Sequence, residues 1–313
     1  MNPFDCELHL VTGKGGVGRT TFALSLAVAF AQKKQKTLLL ELADQDEHAQ
    51  SMIGRWIDEP FLKQIKQAKH EKIAYLGDDL YFGQLIAKTG HEGFLKAVLP
   101  IATLAQTALQ SKPLSRFLES APSLYELGLF YHLWMIVQTQ KFQKIVIDLP
   151  ATGHTLALTR LPAQLSRLIK KGPMVTALEQ GKDFLSNPQK TSIWIVALAE
   201  KLPISEALDL KSALIADGFQ VSALILNQVP LCAYEQPLSE AILEILSKID
   251  SDADLDSAKL GLAEIEQMLG WQKMLKSLRS NQANGRIFVL PQAEVLKRHI
   301  YVEEMMQSIG NQS

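Results

Sequence analysis

Leu8-His9-Leu10-Val11-Thr12 runs directly into Gly13-Lys14-Gly15-Gly16-Val17-Gly18-Arg19-Thr20-Thr21, and an apolar stretch, Phe22–Ala31, follows at once. The first run has the β-branched and leucine content of a strand, and the last has the length of a helix. Between them lies a glycine-rich turn. A strand, a glycine loop and a helix in this order make a cradle for phosphate, because successive backbone N–H groups can converge on the oxygens with no Cβ in the way. The positive end of the helix dipole points at the same spot. Thr20 stands where a hydroxyl coordinates Mg²⁺, and Thr21 where one reaches an α-phosphate. Arg19 fills the slot normally held by lysine. A guanidinium is planar and binds as a fork, so the exchange keeps charge but not geometry. Nucleotide binding with slowed or lost hydrolysis is the expectation.

Outward from the loop, short apolar runs alternate with longer amphipathic ones. The pattern predicts strands over Leu8–Thr12, Thr37–Leu42, Lys144–Asp148, Thr191–Ala197, Gln220–Leu226 and Arg286–Leu290. It predicts helices over Thr20–Gln32, Ser205–Asp217, Leu238–Ile249 and Glu294–Ser308. Continuously apolar strands alternating with helices imply an α/β fold, a doubly wound, mostly parallel sheet. The chain reads as a single domain over 1–313. A mostly helical insertion at roughly 51–140, broken by Pro60, Pro100, Pro113 and Pro122, is expected to cap the carboxyl edge of the sheet. Its apolar residues, such as Phe94, Leu95 and Leu104, either pack the cap down or line a groove.

Composition narrows the function. The 313 residues carry 32 Lys+Arg against 33 Asp+Glu, so no overall charge draws the chain to nucleic acid or an anionic membrane. Two cysteines, Cys6 and Cys232, cannot build a disulfide framework or a four-thiolate zinc site unaided. Apolar runs fall short of the roughly 18 to 20 residues that span a bilayer. No leader pattern opens the chain, with Asp5 and Glu7 near its start. A cytoplasmic protein is expected.

Gly13–Thr21, with its early lysine at Lys14, resembles the deviant Walker A motif of the MinD, ParA, nitrogenase-iron-protein and arsenite-pump ATPases. The resemblance implies that Lys14 reaches across a dimer interface to the partner's nucleotide; a solvated loop charge is the alternative. Lys144–Asp148 ends a strand in an acid, continuing Leu149-Pro150-Ala151-Thr152-Gly153-His154-Thr155. This looks like switch II of the arsenite-pump (ArsA) and tail-anchored-protein-targeting ATPases. An Asp at a buried strand end beside a phosphate loop can hold Mg²⁺ through water. Val196–Pro203 with Glu200 is similar to the family segment whose glutamate contacts nucleotide across the dimer. Asn227, after a strand, matches the family's adenine-recognising asparagine, and Phe288-Val289-Leu290-Pro291 resembles the loop that closes over the base.

The resemblance therefore implies a dimeric P-loop ATPase, closest in type to bacterial anion-transporting ATPase homologues, that binds ATP or ADP with Mg²⁺. Its implied nucleotide set is Gly13, Lys14, Gly15, Gly16, Val17, Gly18, Arg19, Thr20, Thr21, Glu200, Asn227 and Pro291. Its implied metal pair is Thr20 and Asp148, and the catalytic candidates are Lys14, Arg19, Asp148 and Asp44. Partners would be a second copy or a related ATPase, and an unknown cargo protein or anion. No integral membrane segment is expected, and peripheral association stays open. A regulatory subunit that binds nucleotide, hydrolyses poorly and pairs with an active paralogue is the rival.

The chain departs from the family pattern at switch I. Where an Asp-Pro-Ala-His type of segment belongs, it has Glu41-Leu42-Ala43-Asp44-Gln45-Asp46-Glu47-His48. Either Glu41 or Asp44 aligns the attacking water, or Asp44–Glu47 is an acidic helix start. The clustered thiolates of an arsenite site are missing, as is a Cys-x-x-Cys bridge. Leu161–Lys190 holds one methionine, Met174, which does not support a Met-lined cargo groove. Asp250–Asp256 mimics a calcium loop but has Leu255 and Gly261 where glycine and glutamate belong, so it reads as a solvated linker.

Overall fold

β1 (Leu8–Gly13) is buried along its whole length, as a strand covered on both faces must be. The structure, a computed structural model, describes residues 2–43, 53, 73–98, 122–150, 155, 156, 158–161, 173–229, 270–280 and 285–291. Its other strands are β2 (Thr37–Leu42), β3 (Ile73–Gly77), β4 (Leu80–Leu85), β5 (Lys144–Asp148), β6 (Thr191–Leu198), β7 (Val221–Val229) and β8 (Ile287–Pro291). They form one sheet in the order β3-β4-β2-β5-β1-β6-β7-β8. Every pairing is parallel except β3 with β4. Helices among the described residues include α1 (Arg19–Gln32), α2 (Ala87–Val98), α3 (Pro122–Gln138), α4 (Pro173–Ser186) and α5 (Lys201–Ala216).

The sheet is covered on both faces, as the doubly wound expectation requires. Phe22, Ala23, Leu26, Ala27 and Phe30 of α1 form a helical stripe against Val11, Leu39, Val146 and Trp194. On the opposite face, buried residues of α3, α4 and α5 pack on Leu8, Leu10, Leu38, Leu40, Ile145 and Ile147. Alternate residues of one strand thus serve two separate cores.

The stretch 51–140, expected to be mostly helical, contains the β3–β4 hairpin as well as α2 and α3. Gly77, Asp78 and Asp79 all have positive φ (107°, 46° and 65°) and turn the chain between the two strands. Such angles suit glycine and aspartate and match the twist of a tight hairpin. After it, α2 and α3 approach so closely that a Cβ on Gly90 would stand 1.7 Å from the carbonyl oxygen of Gly128. The helices expected over Leu238–Ile249 and Glu294–Ser308, the acidic run Asp250–Asp256 and Cys232 lie outside the described residues.

At the amino edge of the sheet a buried polar group locks β1 to its neighbours. Trp194 Nε1–H donates to His9 Nδ1 at 3.2 Å, so the other ring nitrogen carries the proton and donates to Cys6 O at 3.0 Å. Lys144 Nζ donates to Phe4 O (2.8 Å) and Cys6 O (2.6 Å). Burial first, and then the Lys144 charge, push the His9 pKa down to about 3. Because the unfolded chain takes up this proton near its ordinary value of 6.5, the neutral ring's contribution is complete above about pH 6.5 and falls by about 1.4 kcal/mol per unit below it. Denaturant titrations of wild type and His9→Gln between about pH 7 and pH 4 should diverge by that slope; parallel curves would refute it.

Candidate phosphate-binding site

β1 lies between β5 and β6, and the chain leaves its carboxyl end through the glycine loop into α1. This is a switch point of the sheet: α1, which follows β1, packs on one face and α5, which follows β6, on the other, and α/β sheets bind ligands at such points. Gly18 is the N-cap of α1, with φ 90° and ψ 22°. Its carbonyl accepts from Phe22 N–H at 3.0 Å, starting the helix ladder. The free N–H groups of the first turn therefore face the loop, which is the arrangement that binds phosphate.

Thr20 and Asp148 meet here. The Thr20 hydroxyl donates to Asp148 Oδ2 at 2.6 Å, while Asp148 Oδ1 is buried with no partner among the described residues. Burial raises the Asp148 pKa to about 6; Thr20 and Arg19 oppose this, and Glu41 adds to it. A buried carboxylate with one idle oxygen, beside a threonine hydroxyl, is a hard-oxygen donor set that fits Mg²⁺. Among the described residues there is no group of three or more His, Cys, Asp or Glu able to hold a metal on its own. A site here would thus be completed by ligand and water, as Mg²⁺ prefers.

Two cations flank the loop. Arg19 Nη1 donates to Leu149 O, at the end of β5. Burial lowers its pKa, and Asp148 works against that. Lys14 Nζ donates to Glu206 Oε1 on α5, with the lysine side chain 54% exposed. A pair this exposed contributes about 0–1 kcal/mol and is easily given up. Asn227, at 0% exposure, donates Nδ2–H to Val17 O at 2.9 Å and so holds the loop from below.

The family model described as "Anion-transporting ATPase" matches residues 6–176 and 172–248. The chain belongs to the anion-transporting ATPase family. It is 27% identical over 280 residues to "ATPase BagA" of Mycobacterium tuberculosis (strain H37Rv), covering 82% of this chain and 73% of that protein. It is 25% identical over 266 residues to "ATPase GET3" of Kluyveromyces lactis, covering 72% and 73%. A further relative is "ATPase ASNA1 homolog" of Plasmodium chabaudi chabaudi, 23% identical over 306 residues, covering 85% and 75%.

In this member of the anion-transporting ATPase family, three more of the expected residues lie on described elements. Glu200 is the exposed N-cap of α5, two residues after β6 ends. Pro291 ends β8 and is the register partner of Val229. Thr21 is partly buried in the first turn of α1, its carbonyl accepting from Ser25 Oγ at 2.7 Å. Asp44 and His154 lie outside the described residues. No helix among the described residues is long and apolar enough to cross a membrane. Cys6 is buried, its thiol donating to Pro188 O at 3.3 Å.

Sequence reasoning missed several partners. Thr12 Oγ1 and Thr155 Oγ1 share a buried hydrogen bond of 2.6 Å, tying the end of β1 to the chain that follows β5. Glu206 meets Lys14 across 192 positions. Gln84 and the backbone of Ile53 both reach Glu41. A threonine immediately before a phosphate loop gives no distinguishing signal, and Gln84 was hidden because its strand was not foreseen.

Proposed function

We propose that the chain is a dimeric, cytoplasmic ATPase that binds ATP or ADP with Mg²⁺ and turns phosphate state into affinity for a cargo protein, an anion or a partner chain. The observation that carries this is the idle Asp148 oxygen beside Thr20, under a glycine loop at a helix N-terminus. Backbone N–H groups of Gly13, Gly15, Gly16, Val17 and Gly18 cradle the phosphates, and Thr21 reaches the α-phosphate. Thr20 and Asp148 hold Mg²⁺, which when bound supplies positive charge against the phosphoryl oxygens. Lys14 leaves Glu206 and crosses to the nucleotide of the partner subunit, and Glu200 reaches the same way. Asn227, which already shapes the loop through Val17, stands with Pro291 on the base side. Asp44 is proposed to align the attacking water.

One observation favours the second reading, a regulatory subunit that binds nucleotide but hydrolyses little. The Arg19 guanidinium is engaged with Leu149 O, and a fork-shaped group held there is poorly placed to lie between β- and γ-phosphates. ATP binding by calorimetry and phosphate release, measured on wild type, Arg19→Lys and Lys14→Ala, separate the two. We expect Arg19→Lys to speed turnover by about tenfold or more, equivalent to about 1.4 kcal/mol of transition-state stabilisation. Negligible wild-type turnover with recovery in Arg19→Lys selects the regulatory subunit. Substantial wild-type turnover lost in Lys14→Ala selects the ATPase, and absence of binding in all three defeats both.

A further inference from the structure

Glu41 sits on β2 opposite Asp148 of β5 as its register partner. It is 6% exposed. Both carboxylate oxygens are engaged: Gln84 Nε2 donates to Oε1 at 2.8 Å, and the backbone N–H of Ile53 donates to Oε2 at 3.2 Å. Ile53 is fully buried in the core on the α1 side. Two residues after Glu41, Ala43 is fixed as well. Its N–H donates to Leu85 O at 2.9 Å, and its carbonyl accepts from Tyr125 Oη at 3.0 Å. The chain therefore leaves the sheet at Ala43 and is back against β2 at Ile53. Asp44, Asp46 and Glu47 belong to the nine residues between these two anchors.

We infer that Glu41 is a positioning residue, which pins Ile53 against β2 beside Asp148 and so fixes where the chain rejoins the sheet next to the proposed metal site. Both oxygens accept from donors fixed by the sheet and the core, and the side chain is almost fully buried, so the geometry points to a structural task for this carboxylate. The inference rests on the nucleotide reading above. It also differs from a purely electrostatic role, in which the Glu41 charge acts on Asp148, because the two make opposite predictions for a glutamine. Glu41→Gln and Glu41→Ala both remove the charge. Only Glu41→Gln keeps an oxygen that can accept from Ile53.

Amide hydrogen exchange at Ile53 reads the anchor directly, and the relative affinities for ATPγS and ADP read its consequence. In Glu41→Ala, exchange at Ile53 should quicken about tenfold or more, the loss of one charge-assisted hydrogen bond. The preference for ATPγS over ADP should fall by about fivefold, with ADP affinity held within about twofold. Glu41→Gln should restore wild-type values for both. Equal behaviour of the two variants, or unchanged Ile53 exchange in Glu41→Ala, would overturn the inference. Should Glu41→Ala fail to fold, Gln84→Leu removes the donor that orients the carboxylate; it too must quicken Ile53 exchange, or the inference falls. If the wild-type chain binds neither nucleotide, the proposed function fails together with the nucleotide half of this inference, while exchange at Ile53 still decides the anchor.

Discussion

Asp148→Asn should make the nucleotide-free protein more stable at about pH 7.5, by about 2 kcal/mol, and should remove the Mg²⁺ dependence of its nucleotide affinity. The stability gain follows from the sign of the shift. The carboxyl loses its proton near 3.8 when unfolded and near 6 when folded, chiefly because of burial. Between those values the folded state holds a proton that the unfolded state has released. Stability from this group therefore declines as pH rises from about 4 to about 6, by roughly 3 kcal/mol in all, and stays lost above that. Asparagine avoids the charge; placing its amide nitrogen where Oδ1 now lacks a partner costs about 1 kcal/mol in return. Urea unfolding of wild type and variant across about pH 4–8 measures the gain. Comparison with the His9→Gln series separates the opposing histidine slope over the same range.

The second half of that prediction tests function. A carboxylate kept ionised at a cost to the fold is expected where a cation is to be received. In the presence of Mg²⁺ and ADP, wild type should gain stability and the variant little. Chelating the metal should weaken nucleotide binding to wild type by about tenfold or more and leave the variant unchanged. A variant that still responds fully to Mg²⁺ would remove Asp148 from the metal site.

How much of this was readable beforehand depended on whether a residue's neighbours were local or distant. β2 and β5 have the expected boundaries, Thr37–Leu42 and Lys144–Asp148. Both are short apolar runs that the sheet buries from two sides, so composition alone marks them. β1, β6, β7 and β8 differ only by residues at their ends. β3 carries a weaker signal, because it lies at the sheet margin, leaving Tyr75 52% exposed. Gly83 within Leu80–Leu85 blurred β4 in the same way. With the hairpin unseen, Gln84 and the engagement of Glu41 were unseen too. The phosphate loop was legible because its chemistry is encoded in consecutive residues. Lys14 with Glu206 and Thr12 with Thr155 were not, because only the closed sheet brings them together.

The glycines of the loop carry the second large effect. Gly18→Ala should lower stability by about 3 kcal/mol and nucleotide affinity by about a hundredfold. Two costs add at this position. At φ 90° a Cβ is strained by about 1–2 kcal/mol. It would also stand 2.2 Å from Asn227 Nδ2. Asn227 cannot retreat freely, since it is fully buried and bound to Val17 O. Relief must then come from the loop itself, through displacement of the N–H groups that would meet phosphate. Gly16 has φ 81° but open space around its Cβ position, so Gly16→Ala should show the strain alone, about 1–2 kcal/mol. Gly15 has neither a positive φ nor a neighbour within 4 Å, and Gly15→Ala should leave apo stability within about 0.5 kcal/mol of wild type. Chemical denaturation without nucleotide ranks the three. If Gly18→Ala proves no more costly than Gly16→Ala, Asn227 yields to the methyl group, and the loop is not held in the way its buried hydrogen bond implies.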